Sequence, residues 1–163
     1  MPVGTPGDPP HLETAHGLFA RQRQLFDGDV AAHGVTVYPT AVALLTRLRD
    51  DGVRTALVTP SRHSHTLLSA GVVINLSDVR VDGSDAARQG LPASPHPAML
   101  LEAAHRLGVP PDQSIVVVDN ERGVAAGLDG QFGLVVGVDR LGNRTQLLQA
   151  ELTESSPTSL RSI

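Results

Sequence analysis

Short runs of consecutive apolar residues, rich in β-branched side chains, recur along the chain. They do not alternate apolar with polar positions, which is typical of strands buried on both faces of a parallel sheet. The clearest runs lie at 55–58, 115–118 and 134–138, with further short candidates at 35–38 and 79–81, each of which contains a polar residue. These runs predict the strands of an α/β core.

Between these runs, apolar residues recur at the three- and four-residue spacing of amphipathic helices. Gly52 and Gly108 follow two of these segments, as glycines that end helices do. Strands that alternate with helices predict a Rossmann-like α/β fold, in which a parallel sheet is flanked by helices. The predicted helices cover about 11–27, 40–50, 64–70, 98–107, 123–129 and 143–152.

Length and composition indicate a single globular domain and argue against nucleic-acid-binding, disulfide-rich and membrane-spanning proteins. The chain has 163 residues, enough for one domain with a sizeable core, and 40% of them are hydrophobic. Its formal net charge is -4 and no basic block occurs, which argues against a nucleic-acid partner. The absence of cysteine excludes disulfides and thiolate chemistry. No apolar run has the length of a membrane span and no signal-peptide pattern opens the sequence, so a cytoplasmic protein without a membrane partner is expected.

Asp119 is the first candidate for chemistry. It follows the apolar run 115–118 directly, and Gly123 and Gly127 come next in a helix-like stretch. Ligands of open α/β sheets bind at the carboxyl ends of the strands, which is where the sequence places this acid. The alternative is that Asp119 opens the next turn or caps the following helix.

A second polar strand end follows the run 55–58 and reads Thr59-Pro60-Ser61. Pro60 cannot continue a central strand, so the strand ends there. Small hydroxyl side chains ahead of a helix N-terminus suit an anion such as phosphate. Ordinary helix capping by Ser61 is the alternative.

Several separate blocks occur in an order that points to a known family. They are Val37–Leu48, Thr55–Arg62, Asp78–Gly83, Leu100–Val109, Gly123–Gly127 and Phe132–Arg140. In these blocks the chain resembles the haloacid dehalogenase superfamily, and more narrowly its β-phosphoglucomutase-like phosphohydrolases. The resemblance covers about residues 12–148.

This resemblance implies an enzyme that binds Mg²⁺ and uses an aspartate nucleophile to take phosphoryl from a small phosphorylated metabolite, such as a sugar phosphate. The family's motifs are an Asp-x-Asp pair after the first strand, a Ser or Thr after the second strand, a Lys, and an acidic pair that holds Mg²⁺. Together they position the transferring phosphoryl group and neutralise its charge.

Carried onto this sequence, the resemblance makes Thr59, Ser61 and Ser94 the phosphate-binding candidates and Asp119 the metal ligand. Ser94 stands where the family has its lysine, and a hydroxyl cannot supply that positive charge. Val118 stands where the family has another acid, so one Mg²⁺ carboxylate is missing. Weak Mg²⁺ binding is therefore expected.

The nucleophile motif has no counterpart in this sequence. The stretch 1–10 is rich in Pro and Gly, and Asp27-Gly28-Asp29 follows a helical pattern rather than a strand. The resemblance therefore implies that the sequence begins within the helical cap. Arg21, on that cap segment, is the candidate contact to substrate, with a solvated surface arginine as the alternative. The predicted segments are a disordered lead-in at 1–10, a cap remnant at 11–36, an α/β core lacking its first strand at 37–152, and a disordered tail at 153–163.

Two functions remain open. In the first, the protein acts on small phosphorylated metabolites, or descends from enzymes that do, and is catalytically impaired because the nucleophile motif is absent. In the second, it is a non-catalytic remnant that serves as a phosphate-ligand or protein-binding module.

The missing strand would lie, in the family, between the strands that end at Thr59 and Asp119. Parallel neighbours lie about 4.8 Å apart, so its absence leaves a slot roughly 9.6 Å wide. Each unpaired buried backbone group costs on the order of 1–3 kcal/mol. The sequence therefore predicts that 55–58 pairs directly with 115–118. Insertion of 35–38, or of a strand from a second chain, is the alternative.

Overall fold

The computed structural model describes residues 1–35, 37–62, 64, 74–139, 142, 145–146 and 148–149, and the backbone of 160–162. Helices and parallel strands alternate along this part of the chain, so the predicted Rossmann-like α/β architecture is confirmed. The helices are α1 (Ala15–His33), α2 (Pro39–Asp50), α3 (Gly83–Gln89), α4 (Ala98–Leu107) and α5 (Glu121–Asp129). The strands are β1 (Ala56–Val58), β2 (Val79–Val81), β3 (Ile115–Val118), β4 (Leu134–Gly137) and β5 (Leu160–Ser162).

The described strands form two parallel sheets. In the first sheet β1 pairs with β2, with Ala56 opposite Val79. In the second sheet the order is β3-β4-β5, with Ile115 opposite Leu134. Thus β1 and β3 are both edge strands in the part of the chain that the structure describes.

The predicted ladder between 55–58 and 115–118 is wrong, because β1 and β3 each pair only with the strand on their other side. The described residues of 35–38 belong to no strand either. The physical reason lies in α4, which packs on both sheets. Its Ala103 belongs to the core of the first sheet and its Ala104 to the core of the second, and in this arrangement β1 and β3 do not pair with each other.

Two hydrophobic clusters make up the core. The smaller one joins Val81 to Met99 and Ala103 of α4. The larger one lies between α4, α5 and the second sheet, and its buried members are Ala104, Val116, Val124, Leu128, Phe132 and Val135. Residues of α4 contribute to both clusters, so this helix contacts both sheets.

The sequence predicts that the apolar strands are buried on both faces. This prediction is confirmed for β4 and wrong for β3. In β4, Val135 and Val136 point to opposite faces and are 0% and 8% exposed. In β3, Val116 is buried, whereas Ile115 and Val117 on the other face are 64% and 56% exposed. No described helix covers that face of β3, so its apolar residues meet solvent.

Both ends of the chain make contacts that composition alone did not indicate. In the lead-in 1–10, Pro2 O and Val3 O accept hydrogen bonds from the N–H groups of Ala15 and His16 at the start of α1. In the segment predicted as a disordered tail, β5 extends the second sheet beside β4. Strand edges bind main-chain groups, which a Ser- and Thr-rich composition does not reveal.

The helices differ from the predictions mainly in two places: α3 was not predicted, and α1 continues to His33. The glycine that ends α4, Gly108, adopts φ 65°, as predicted for a left-handed cap. The predicted helices at 64–70 and 143–152 lie largely outside the described residues. Among the described helices, none is long and apolar enough to cross a membrane.

Candidate functional site

The candidate site lies at the carboxyl ends of β1 and β3. Thr59 directly follows β1, and its N–H donates to Val81 O at 3.0 Å, which continues the ladder with β2. Its Oγ1 accepts a hydrogen bond of 3.2 Å from the N–H of Ser61. The Thr59 side chain therefore shapes the turn after β1 and keeps its hydroxyl at the end of the strand.

The turn that carries Ser61 is held against the start of α3. Gly83 N–H donates to Ser61 O at 3.1 Å. A Cβ on Gly83 would stand 2.1 Å from Pro60 O, so only glycine permits this close approach. The position of Ser61 is thus set by the backbone of a different element.

A buried hydrogen-bonded pair, Ser64 and Asp82, links the segment after this turn to the start of α3. Ser64 and Asp82 are 1% and 7% exposed, and Ser64 Oγ donates to Asp82 Oδ2 at 2.7 Å. Asp82 also accepts from the N–H groups of Ser84 and Asp85 and so caps α3. Burial acts to raise the pKa of Asp82, but the hydrogen bonds from Ser64, Asp85 and Ser84 together outweigh it, and the pKa is lowered.

Asp119 stands at the end of β3 and is exposed. The residue that caps α5 is Asn120, whose Oδ1 accepts from Gly123 N–H at 2.9 Å. Asn120 Nδ2 donates to Asp119 Oδ1 at 3.0 Å. The capping alternative for Asp119 is therefore wrong, because its neighbour fills that role and orients the Asp119 carboxylate.

Ser94 is joined to the start of α5 by a residue that the sequence reasoning missed. The Arg122 guanidinium, in the first turn of α5, donates through Nη2 to the main-chain carbonyl of Ser94. This contact links the loop before α4 to the helix after Asp119. The sequence did contain an indication of this contact. A positive charge in the first turn of a helix is unfavourable, so an arginine at position 122 indicates a role outside its own helix.

Arg21 lies elsewhere. It is exposed on α1 and lines an open cavity of about 820 Å³, together with His11, Gln24 and His33. All residues that line this cavity belong to the segment 10–33, and none stands at a strand end. The structure therefore does not bring Arg21 into the cavity of any other predicted site residue, and its role in substrate binding stays a prediction.

The residues available for a metal ion are few. The part of the chain that the structure describes holds no group of three or more His, Asp or Glu side chains that could coordinate one. Asp119 offers one carboxylate, and its neighbour Val118 offers none. Asp27 and Asp29 lie within α1. A Mg²⁺ ion at this edge could take one protein carboxylate and would need phosphate and water oxygens for the rest of its octahedron.

Comparison with known proteins places this geometry in a family. Residues 8–130 match the family model of haloacid dehalogenase-like hydrolases. The chain is 38% identical over 148 residues to an uncharacterized glycosyl hydrolase of Mycobacterium tuberculosis, which covers 89% of this chain and 11% of that protein. It is 32% identical over 149 residues to a β-phosphoglucomutase of Mycobacterium bovis, which covers 91% of this chain and 57% of that one.

The fold agrees with these sequence matches. A crystal structure of β-phosphoglucomutase from Clostridium difficile superposes with a TM-score of 0.68 at 18% identity, over 81% of this chain and 58% of that one. The chain thus spans little more than half the length of the phosphoglucomutases it matches. With an α/β fold, polar strand ends in the same order and matches over most of its length, the chain belongs to the haloacid dehalogenase-like hydrolases, in their β-phosphoglucomutase-like subfamily.

Proposed function

We propose that this chain binds the phosphate group of a small phosphorylated sugar at the carboxyl ends of β1 and β3. The observation that carries the proposal is the polar groups that follow these two strands: the hydroxyls of Thr59 and Ser61 after β1, and the Asn120-oriented carboxylate of Asp119 after β3. The names of two relatives, a β-phosphoglucomutase and a trehalose-phosphate phosphatase of Mycobacterium leprae, support a sugar phosphate as ligand.

We further propose that the chain by itself turns this ligand over slowly or not at all. Transfer of a phosphoryl group to the protein needs a nucleophile, and a carboxylate is one of the groups that serve. Asp119 is the exposed aspartate that follows β3. Asp82 follows β2, but it is buried, caps α3 and accepts a hydrogen bond from Ser64. The only Asp-x-Asp sequence, at 27–29, lies within α1. Asp119 cannot act both as nucleophile and as the carboxylate for Mg²⁺.

Magnesium enters this proposal as a bridge to the ligand. Enzymes of the family generally use Mg²⁺, and this ion is commonly bound through one or two carboxylates plus substrate phosphate. Here Asp119 would supply the carboxylate, and the phosphate oxygens would complete the site. We therefore expect weak binding of Mg²⁺ alone and tighter binding when a phosphate ligand is present.

Calorimetric titration with glucose 6-phosphate, in the presence and absence of Mg²⁺, tests the proposal, and glucose serves as the control ligand without phosphate. Thr59→Val keeps the side-chain shape and should weaken phosphate binding by about fivefold, the effect of one lost hydrogen bond of ~1 kcal/mol. Binding of glucose and glucose 6-phosphate with equal affinity would contradict the proposal. Phosphate release that is abolished by Asp119→Ala would show that the chain is catalytically competent.

A second candidate function, that of a protein-binding module, follows from the open strand edges. Along β3, Ser114 O accepts from Leu134 N–H of β4, and Val118 O accepts from the N–H of Val138, which directly follows β4. Because alternate residues of a parallel strand direct both backbone groups to the same side, Ile115 and Val117 present theirs at the opposite edge. No described residue pairs with that edge.

β1 likewise has one edge paired with β2 and one edge whose backbone groups have no described strand beside them. Thr55 O accepts from Asp78 N–H, and Thr59 N–H donates to Val81 O, so these two residues face β2. Ala56 and Val58 therefore present their N–H and C=O groups at the other edge, which no described strand occupies. Extended segments commonly bind such edges by strand addition. We propose that an apolar strand of a second chain binds parallel to β1 and β3, pairs with the open edge of each, and so joins the two sheets into one.

Hydrogen exchange with and without a β-branched apolar peptide of about eight residues tests this candidate. The amides of Ile115 and Val117 should become protected when the peptide binds. A matched peptide with proline at alternate positions lacks the donors and should give no protection. Equal protection by both peptides, or none by either, would contradict strand addition.

A further inference from the structure

Arg122 has no evident role in the stability of its own helix. It occupies the first turn of α5, where Asn120 already caps the helix and Glu121 supplies the favourable negative charge. A positive charge at a helix N-terminus opposes the macrodipole and costs a few tenths of a kcal/mol to ~1 kcal/mol. The Arg122 side chain is exposed, so burial of its stem does not repay that cost.

The Arg122 side chain reaches from its own helix to the loop that carries Ser94, one of the phosphate-binding candidates. Its Nη2 donates to the main-chain carbonyl of Ser94, a residue in the loop that precedes α4. A guanidinium has further N–H groups in a planar fork whose geometry matches phosphate oxygens. With one donor fixed on Ser94, the orientation of the fork is restrained before any ligand arrives.

The charge balance of the protein groups at the site favours a cationic side chain there, in addition to the Mg²⁺ of the proposed function. The hydroxyls of Thr59, Ser61 and Ser94 are neutral, and the carboxylate of Asp119 repels a phosphate dianion. When Mg²⁺ is absent, a cationic side chain would offset that repulsion, and charge-assisted hydrogen bonds to phosphate are about twice as strong as neutral ones. Arg62, on the exposed turn after Ser61, is the competing cation, but its stem packs beside Gly83 at the start of α3.

We propose that Arg122 is the anion-binding cation of this site, held in place by the Ser94 carbonyl, and that it contacts the phosphate group of the ligand. This inference rests on the proposed function, because it names the residue that gives the same site its affinity for phosphate. The chemistry that it recognises is a phosphate monoester or inorganic phosphate, beside the carboxylate of Asp119.

Calorimetric titration with inorganic phosphate and with glucose 6-phosphate tests the role of Arg122. Arg122→Gln should weaken both affinities by at least about tenfold, the loss expected for a hydrogen bond to a charged group. Arg122→Lys keeps the charge and should lose less. Arg49→Gln, an exposed arginine on α2, removes the same charge from an element outside the site and should leave both affinities unchanged.

The Nε resonance of Arg122 in ¹⁵N NMR supplies a second measurement that does not depend on the variants. It should shift when phosphate is added and stay unchanged when glucose is added. If wild type binds phosphate while Arg122→Gln binds equally well, or Arg62→Gln alone loses binding, the assignment to Arg122 is wrong and the proposed function stands. If wild type binds neither ligand, both the site and the role of Arg122 are refuted.

Discussion

Ala103 and Ala104 are adjacent in sequence and are each 4% exposed, yet they pack into different hydrophobic cores. Ala103 lies against Val81 of the first sheet, and Ala104 lies in the cluster with Val116 of the second. Successive residues of a helix point about 100° apart, so one helix can serve both sheets only where it lies across the gap between them. The small side chains allow α4 to approach both sheets at once.

Enlarging Ala104 should therefore destabilise the protein through the second core. We expect Ala104→Leu to lower the free energy of unfolding by about 1–3 kcal/mol, because the added carbons have no space in a packed interior. His105→Leu makes the same residue at the neighbouring, exposed position and should change it by less than about 0.5 kcal/mol. Urea unfolding followed by circular dichroism measures both; equal stabilities of the two variants would contradict the packing.

At Gly127, the close contact between α5 and β4 and the helix propensity of alanine predict opposite effects of a substitution on stability. A Cβ on Gly127 would lie 2.8 Å from Cγ2 of Val135, a stiff side chain that is fully buried. Gly127→Ala should thus lower the free energy of unfolding by about 1–3 kcal/mol, although alanine favours helices. Thermal unfolding of the purified variant measures the effect.

Gly28 is the matched control for this substitution. It lies inside α1, and a Cβ built there meets nothing within 4 Å. Gly28→Ala should raise the stability of the helix by about 0.5–1 kcal/mol. A Gly127→Ala variant that is stabilised to the same extent as Gly28→Ala would show that α5 does not approach β4 so closely.

Acid should weaken the fold through Asp82. The hydrogen bonds from Ser64, Asp85 and Ser84 stabilise its charged form and lower its pKa in the folded state, against the opposing effect of burial. A lowered pKa contributes stability that is fully present above the unfolded-state value of about 3.9. That contribution is lost as the pH falls through the lower, folded-state pKa.

Asp82→Asn keeps the shape and a capping oxygen but removes the titration. The variant should be less stable than wild type at neutral pH by about 1–2 kcal/mol, and the difference should shrink below about pH 4. Urea unfolding at several pH values measures it. A difference that stays constant down to the lowest pH at which both fold would contradict the assigned role of the Asp82 charge.

Arg106 should contribute more to stability than a typical surface arginine. It donates to Glu102 Oε1 at 2.7 Å, to Asp85 Oδ2 at 3.0 Å and to Arg80 O at 2.8 Å, and so joins α4 to α3 and β2. Arg106→Met should cost about 2–3 kcal/mol, because partly buried acceptors lose a charged donor. Arg88→Met breaks only an exposed pair with Asp85 and should cost at most about 1 kcal/mol. Chemical denaturation of both variants measures the two free energies of unfolding. Equal losses of stability would show that Arg106 contributes no more than the exposed Arg88.

Local patterns in the sequence were sufficient for the class of fold and for most elements. The apolar runs 115–118 and 134–138 predicted β3 and β4, and Gly108 predicted the end of α4, because strand burial and left-handed caps depend on residues close together in the chain. The family could also be predicted, since its blocks are local motifs. Thr59 and Asp119 were predicted at strand ends for the same reason, and both lie there.

Only the tertiary structure decided which edges pair and which charges meet. The gap between β1 and β3, the exposure of Ile115 and Val117, and the contact of Arg122 with Ser94 all arise between residues far apart in sequence. A strand has two edges with the same chemistry, so its own residues cannot specify which edge receives a partner. The choice is made by contacts between elements, such as the packing of α4 against both sheets, and such contacts have no local signature along the chain.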